Sequence, residues 1–200
     1  MNYIMIIYTL LSFLFLLSFA KISYKLDLLD LPNKRKIHSK ATAYTGGIAI
    51  SACLVISILL LGIRDNYLNL ILSMGFLVSI VGLIDDKYDL NVGGKLSLQI
   101  IPIFYLVFFE NLFLNHLGDY NYFKLELGTF IIPFTLISVL FLINAFNYFD
   151  GMDGTLSFTS ISVLSILYFL IPDQNFRLFI FIIAIPIIIF LMFNFSIFKL

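Results

Sequence analysis

Three short polar segments interrupt a 200-residue apolar chain, and their residue types suit phosphate and metal chemistry. Asp85 and Asp86 are adjacent. Asp150 and Asp153 are three residues apart, so on a helical turn they share a face, and Gly151 and Gly154 keep the backbone there permissive. Carboxylates at the edge of an apolar span are costly unless hydrated, paired or metal-bound. Four of them from two segments could hold a hard divalent cation through oxygen. Mg²⁺ held this way usually keeps waters and shares substrate phosphates. The remaining segment carries the opposite charge. Lys34, Arg35, Lys36 and His38, with Pro32 before them and Gly46-Gly47 after, could grip phosphate oxygens. Each segment alone also has a plainer reading, as solvated helix-end acids or as lysines that set topology. The distance between the two acidic pairs argues against a local EF-hand loop.

The elements that must position these residues are apolar helices. The chain is 61% hydrophobic with a mean hydropathy of +1.04, and only 12% of its residues are charged. A soluble domain is nearer ~45–50% apolar and ~25% charged, so that class is excluded. Formal net charge is zero, which points to no nucleic-acid partner. The single Cys53 excludes an internal disulfide and reads as a small buried hydrophobe. A spanning helix needs about 20 mostly apolar residues. Seven stretches qualify: Met1–Ala20, Gly46–Ile63, Asn66–Ile84, Leu96–Leu117, Leu127–Phe149, Gly154–Pro172 and Leu178–Phe198. No period-2 alternation suggests a barrel. The expected fold is therefore an all-α polytopic bundle, with residues 1–200 forming one membrane-embedded domain.

Charge sets the orientation. Lys21, Lys25, Lys34, Arg35, Lys36, Lys40, Lys87, Lys95 and Lys199 fall on one side; Arg64, Lys124 and Arg177 fall on the other. The basic-rich side is cytoplasmic by the positive-inside rule. The N-terminus is then outside and the C-terminus inside, and all three polar segments face the cytoplasm. Met1–Ala20 has no charged side chain and its lysines follow the apolar run, which suits a retained anchor better than a cleaved signal. His116 lies on the outer side and is assigned no role.

Order and spacing add a resemblance. Asp30-x-Pro32-x-x-Arg35-Lys36-x-His38 with Gly46-Gly47, then Asp85-Asp86, then Asn147-x-x-Asp150-Gly-x-Asp153-Gly154, resemble the polyprenyl-phosphate N-acetylhexosamine-1-phosphate transferases. Asp85-Asp86-Lys-Tyr-Asp89-Leu-Asn91 is most similar to the GlcNAc-1-phosphate branch, and Lys40-Ala-Thr-Ala-Tyr-Thr45 lacks the Lys-x-Gly-Thr-Pro-Thr stretch of the peptidoglycan translocases. Ala41 and Ala43 stand where relatives commonly have prolines. Phe193-Asn194-Phe195-Ser-Ile-Phe-Lys199 resembles the lead-in to a Gly-Asp-x-Gly-Ser motif, so the expectation is an N-terminal fragment of a longer fold.

The resemblance implies transfer of a HexNAc-1-phosphate from a UDP-sugar to polyprenyl phosphate in a bacterial inner membrane, with Mg²⁺ as cofactor and a homodimer as a further partner to test. It implies that Asn147, Asp150 and Asp153 serve the nucleotide and metal side. Lys95, Arg35, Lys36 and His38 would contact phosphate. Asp85 and Asp86 would act as base or as positioning groups, with Asp86 also a metal ligand. Three other readings were weighed. An ion path would place charge near the middle of the spans. A CDP-alcohol phosphotransferase would follow its Asp-Gly with Ala-Arg, and no Arg follows Asp153 until Arg177. A non-catalytic remnant or subunit is the third.

Overall fold

Among the described residues, each of the seven apolar runs contains a helix, because backbone N–H and C=O groups in hydrocarbon can be satisfied only within the segment. The computed structural model describes residues 2–26, 28–30, 42–43, 45–62, 65–120, 122–149 and 154–194. Among these are seven α-helices: α1 (Asn2–Lys25), α2 (Gly46–Leu61), α3 (Asn66–Tyr88), α4 (Val92–Phe108), α5 (Ile131–Phe149), α6 (Thr155–Leu170) and α7 (Gln174–Asn194). Four helical segments are long and apolar enough to cross a membrane: Tyr3–Lys25, Asn66–Tyr88, Gly128–Tyr148 and Gln174–Asn194. The others, α2, α4 and α6, have 16, 17 and 16 residues. At ~1.5 Å per residue they rise about 24–26 Å, slightly under the ~30 Å hydrocarbon core.

The fourth run departs most from expectation. It starts earlier, at Val92, because the Asn91 side chain accepts from Gly94 N at 2.7 Å and caps the helix. It also ends earlier, at Phe108. Asn111 takes a left-handed φ of 54°, and the chain turns into a hairpin, β3 (His116–Tyr120) with β4 (Phe123–Glu126). Counting apolar residues missed this, because Leu112, Phe113, Leu114 and Leu117 score as span residues while Glu110, Asn111, Asn115 and His116 break the helix. A short 3-10 helix, Gly128–Phe130, then leads into α5.

The chain divides into two compact units, residues 1–89 with 150–200 and residues 90–149. In the first, α1 and α7 run parallel. Tyr8 Oη donates to the Ile182 carbonyl at 3.1 Å, and further along Leu16 packs on Ile189. α2 runs antiparallel to α1: Cys53 meets the Ser12 carbonyl at 3.9 Å, and Thr45 Oγ1 donates to Phe19 O at 3.2 Å. α3 returns along α2, with Ser51 and Ser79 hydroxyls 2.6 Å apart. α6 and α7 are antiparallel neighbours. Arg177 Nε donates to the Tyr168 and Ile171 carbonyls at 3.2 and 2.8 Å, satisfying the open end of α6. This alternation matches the one that the charge count requires of these helices.

In the second unit, α4 and α5 are antiparallel. Leu114 N donates to Thr135 Oγ1 at 3.0 Å, and a part-buried pair, Asn144 Nδ2 to the buried Gln99 Oε1 at 2.9 Å, joins the helices toward their other end.

Candidate active site

One end of the first unit collects the flanks of all three polar segments. The strands β1 (Leu29–Asp30) and β2 (Thr42–Ala43) pair antiparallel, Leu29 with Ala43 and Asp30 with Thr42, so the two ends of the basic segment are held together. Below them, Ser23 Oγ donates to the Leu28 carbonyl and fixes the exit from α1. α2 opens at the same end. Thr45 precedes it without capping it, since its hydroxyl is committed to Phe19. Among the described residues, no side chain caps the first N–H groups of α2. Gly46 is required there by packing: a Cβ would lie 2.5 Å from Phe190 Cε2 on α7. Gly46 and Gly47 are the first residues of α2, where the run Gly46–Ile63 is expected to begin, and Gly46 serves helix contact.

Asp85 and Asp86 occupy the last turn of α3, at this end because α3 is antiparallel to α2. Asp85 is half-buried and Asp86 exposed. Asp89 closes the helix in a left-handed conformation, φ 49°, with its N–H on the Asp85 carbonyl at 2.9 Å. The start of α6 lies at this end as well, antiparallel to α7. Gly154 has φ 78°, a conformation that L side chains rarely adopt, which explains the second glycine of the Asp-Gly-x-Asp-Gly pattern. Arg35, Lys36, His38, Asp150 and Asp153 lie outside the described residues. Among the described residues no three His, Cys, Asp or Glu side chains group closely enough to hold a metal.

The second unit has its own polar end. Lys95 is half-buried in the first turn of α4, and Asn147 is exposed near the end of α5. Gln99 follows Lys95 by four residues and Asn144 precedes Asn147 by three, so each functional candidate sits one turn beyond the Gln99–Asn144 bond. Asn144 Nδ2 also donates to Leu140 O at 2.8 Å. Sequence reasoning assigned no role to Gln99 or Asn144. The available signal was an amide well inside each of two apolar runs, since a polar group in lipid needs a partner.

No charged side chain stands in the middle of any described helix, as an ion path would require.

A sequence model of glycosyl transferase family 4 matches residues 67–199. The chain belongs to glycosyl transferase family 4. The match covers the Asp85-Asp86 segment and the Asn147–Gly154 segment and begins after the basic one. Among curated proteins, the chain is 34% identical over 147 residues to the undecaprenyl-phosphate alpha-N-acetylglucosaminyl 1-phosphate transferase of Escherichia coli O157:H7, covering 72% of this chain and 39% of that one. The protein of the same name in Yersinia pestis is 30% identical over 189 residues, covering 92% and 52%. A probable undecaprenyl-phosphate N-acetylglucosaminyl 1-phosphate transferase of Bacillus subtilis is 30% identical over 153 residues, covering 72% and 41%. The chain thus spans about half the length of these family 4 relatives, or less. No solved structure matches it significantly. With bacterial relatives and four helices long enough to cross, this family 4 chain is a multi-pass inner-membrane protein.

Proposed function

We propose that the chain carries the first part of a catalytic centre that transfers N-acetylhexosamine 1-phosphate from a UDP-sugar to undecaprenyl phosphate, releasing UMP. The observation that carries this reading is one end of the first unit. The paired strands flanking the basic segment, the start of α2, Asp85-Asp86 and Gly154 all meet there. The names of the family 4 relatives support the lipid acceptor and the transferred N-acetylglucosaminyl 1-phosphate, and the motif resemblance implies the UDP-linked donor.

In this reaction an oxygen of the lipid phosphate bonds to the β-phosphorus of the UDP-sugar. The bond from that phosphorus to the bridging oxygen breaks, and UMP leaves with the oxygen and its electron pair. Little covalent work falls to the protein, so positioning and charge compensation dominate. By their side-chain chemistry, Arg35, Lys36, His38 and Lys95 would hold phosphate oxygens. Asn147, Asp150 and Asp153 would orient the nucleotide. A phosphate monoester has its second pKa at about 6, so the lipid phosphate is largely dianionic at neutral pH. A general base therefore adds little, which favours positioning or metal binding by Asp85 and Asp86.

The donors suit Mg²⁺. They are hard carboxylate oxygens, Asp85 is half-buried, and Asp86 is open to water beside it. Mg²⁺ needs only one or two protein carboxylates alongside waters and phosphates. Asp86, Asp150 and Asp153 would hold it. When bound, it would offset diphosphate charge and stabilise the leaving UMP.

The test uses membranes containing the chain, radiolabelled UDP-GlcNAc, undecaprenyl phosphate and Mg²⁺. The expected result is labelled lipid in the butanol extract. No labelled lipid from any UDP-HexNAc donor would count against the reading.

A further inference from the structure

The hairpin β3–β4 has one face that no described residue of its own unit covers. Residues directly opposite each other in paired strands share a face. Tyr120 pairs with Phe123, Asp119 with Lys124 and His116 with Glu126. The register shift between His116 and Asp119 marks an extra residue in β3, where Gly118 has φ 144°. Alternation along β4 then sets Phe123 and Leu125 on one face, joined by Tyr120. Lys124 and Glu126 lie on the other, with Asp119 and His116. Contacts agree with this sorting. The Tyr120 and Phe123 rings stack with centroids 5.1 Å apart, and Lys124 Nζ lies 3.7 Å from Asp119 Oδ1. Yet the apolar face is open: Tyr120 is 54% exposed, Phe123 60%, and Tyr122 in the turn 98%.

We propose that this hairpin lies in the membrane interface, with its aromatic face against the headgroup and acyl boundary of the bilayer and its charged face in water. A two-stranded hairpin is only marginally stable without cover. The cover follows from continuity. The stem is tied to the helix ends, Leu112 N to Leu106 O at 3.0 Å and Leu127 N to Asn115 O at 3.1 Å. The end of α4 and the approach to α5 expose Phe108, Phe109 and Phe130, which extend the same aromatic girdle. Tyr and other amphipathic rings favour this depth in a bilayer. The charged face carries both signs, Lys124 against Asp119 and Glu126, which suits a hydrated zwitterionic surface rather than a charged partner. The inference rests on α4 and α5 crossing the membrane, and is independent of the transfer reaction.

The chain has no Trp, so one introduced residue is a unique probe. Phe123→Trp and Tyr120→Trp report the apolar face, and Lys124→Trp the charged one. Each variant of the full chain is reconstituted in phosphatidylcholine vesicles with and without brominated acyl chains, and is also titrated with acrylamide. Interfacial burial of roughly 5–10 Å predicts that bromolipid quenches Phe123→Trp at least about twofold more than Lys124→Trp, with acrylamide showing the reverse order and a blue-shifted emission for Phe123→Trp. Equal acrylamide quenching of both faces, with no bromolipid effect, would overturn the proposal in favour of a hydrated hairpin. Protection of Phe123→Trp and Tyr120→Trp from both quenchers would overturn it in favour of protein cover, by a second copy or another segment.

Discussion

The two compact units hold their helices together by different polar chemistry. In residues 1–89 with 150–200, the buried donors are mostly hydroxyls that bond backbone carbonyls: Tyr8 to Ile182 and Thr45 to Phe19 between helices, and Ser57 to Leu54 within α2. In residues 90–149, α4 and α5 meet through the amides of Gln99 and Asn144. A hydroxyl on the Phe19 or Leu54 carbonyl can be deleted without stranding a partner, because that carbonyl keeps its own helical bond; the Ile182 carbonyl instead faces Pro186, which has no N–H, and depends on Tyr8. An amide pair cannot lose one member without leaving the other unsatisfied away from water. The first unit should therefore tolerate polar trimming at Thr45 and Ser57, and the second should not at Gln99 or Asn144. The candidate chemistry lies elsewhere, on carboxylates in the last turn of α3, where Asp86 is exposed.

The largest expected effect lies on the chemistry side. Asp86→Asn should lower transfer by about 10²-fold or more, the scale of removing one electrostatic contact in a reacting site. Exposure of Asp86 means that the thermal unfolding midpoint in detergent should stay put. Near-normal turnover would remove Asp86 from the essential set.

Second comes the amide pair. Gln99→Leu should destabilise the chain by about 1–2 kcal/mol, within the range for interhelical hydrogen bonds in bilayers. The double variant Gln99→Leu with Asn144→Leu should recover part of that loss. A double variant worse than the sum of the two singles would break the contrast between the units.

Gly46→Ala should cost a comparable or smaller amount, about 1 kcal/mol, by pressing its Cβ on the Phe190 ring. Phe190→Leu should relieve it when the two are combined, measured by unfolding in detergent. The smallest effect is expected at Ser57→Ala, about 0.5 kcal/mol or less, since only a bond to a carbonyl within its own helix is lost. A larger loss there would contradict the tolerance claimed for the first unit.

Much of this fold could be read from residue order alone, because lipid-facing helices are apolar all round and announce themselves by length. The hairpin could not. Its alternation covers only Phe123 to Glu126, and the extra residue near Gly118 erases it in β3. Leu112–Leu114 then made the run look like more helix. In the site, Asp85, Asp86, Lys95 and Asn147 were readable because charge and amide groups are rare in such a chain. Gln99 and Asn144 were not, since one amide in an apolar run has no visible partner until the antiparallel pairing of α4 and α5 brings the two together. Gly46 was readable as the start of an apolar run, but its use, the space that it leaves for Phe190 on a helix distant in sequence, was not.

The central claim concerns which bond breaks, and one labelled atom tests it. Membranes containing the chain are supplied with undecaprenyl phosphate, Mg²⁺ and UDP-GlcNAc carrying ³²P only in its β-phosphate. Transfer of sugar 1-phosphate puts the label in the butanol-extractable lipid and leaves unlabelled UMP. Label released as UDP, or a lipid phase that stays unlabelled, would contradict the account.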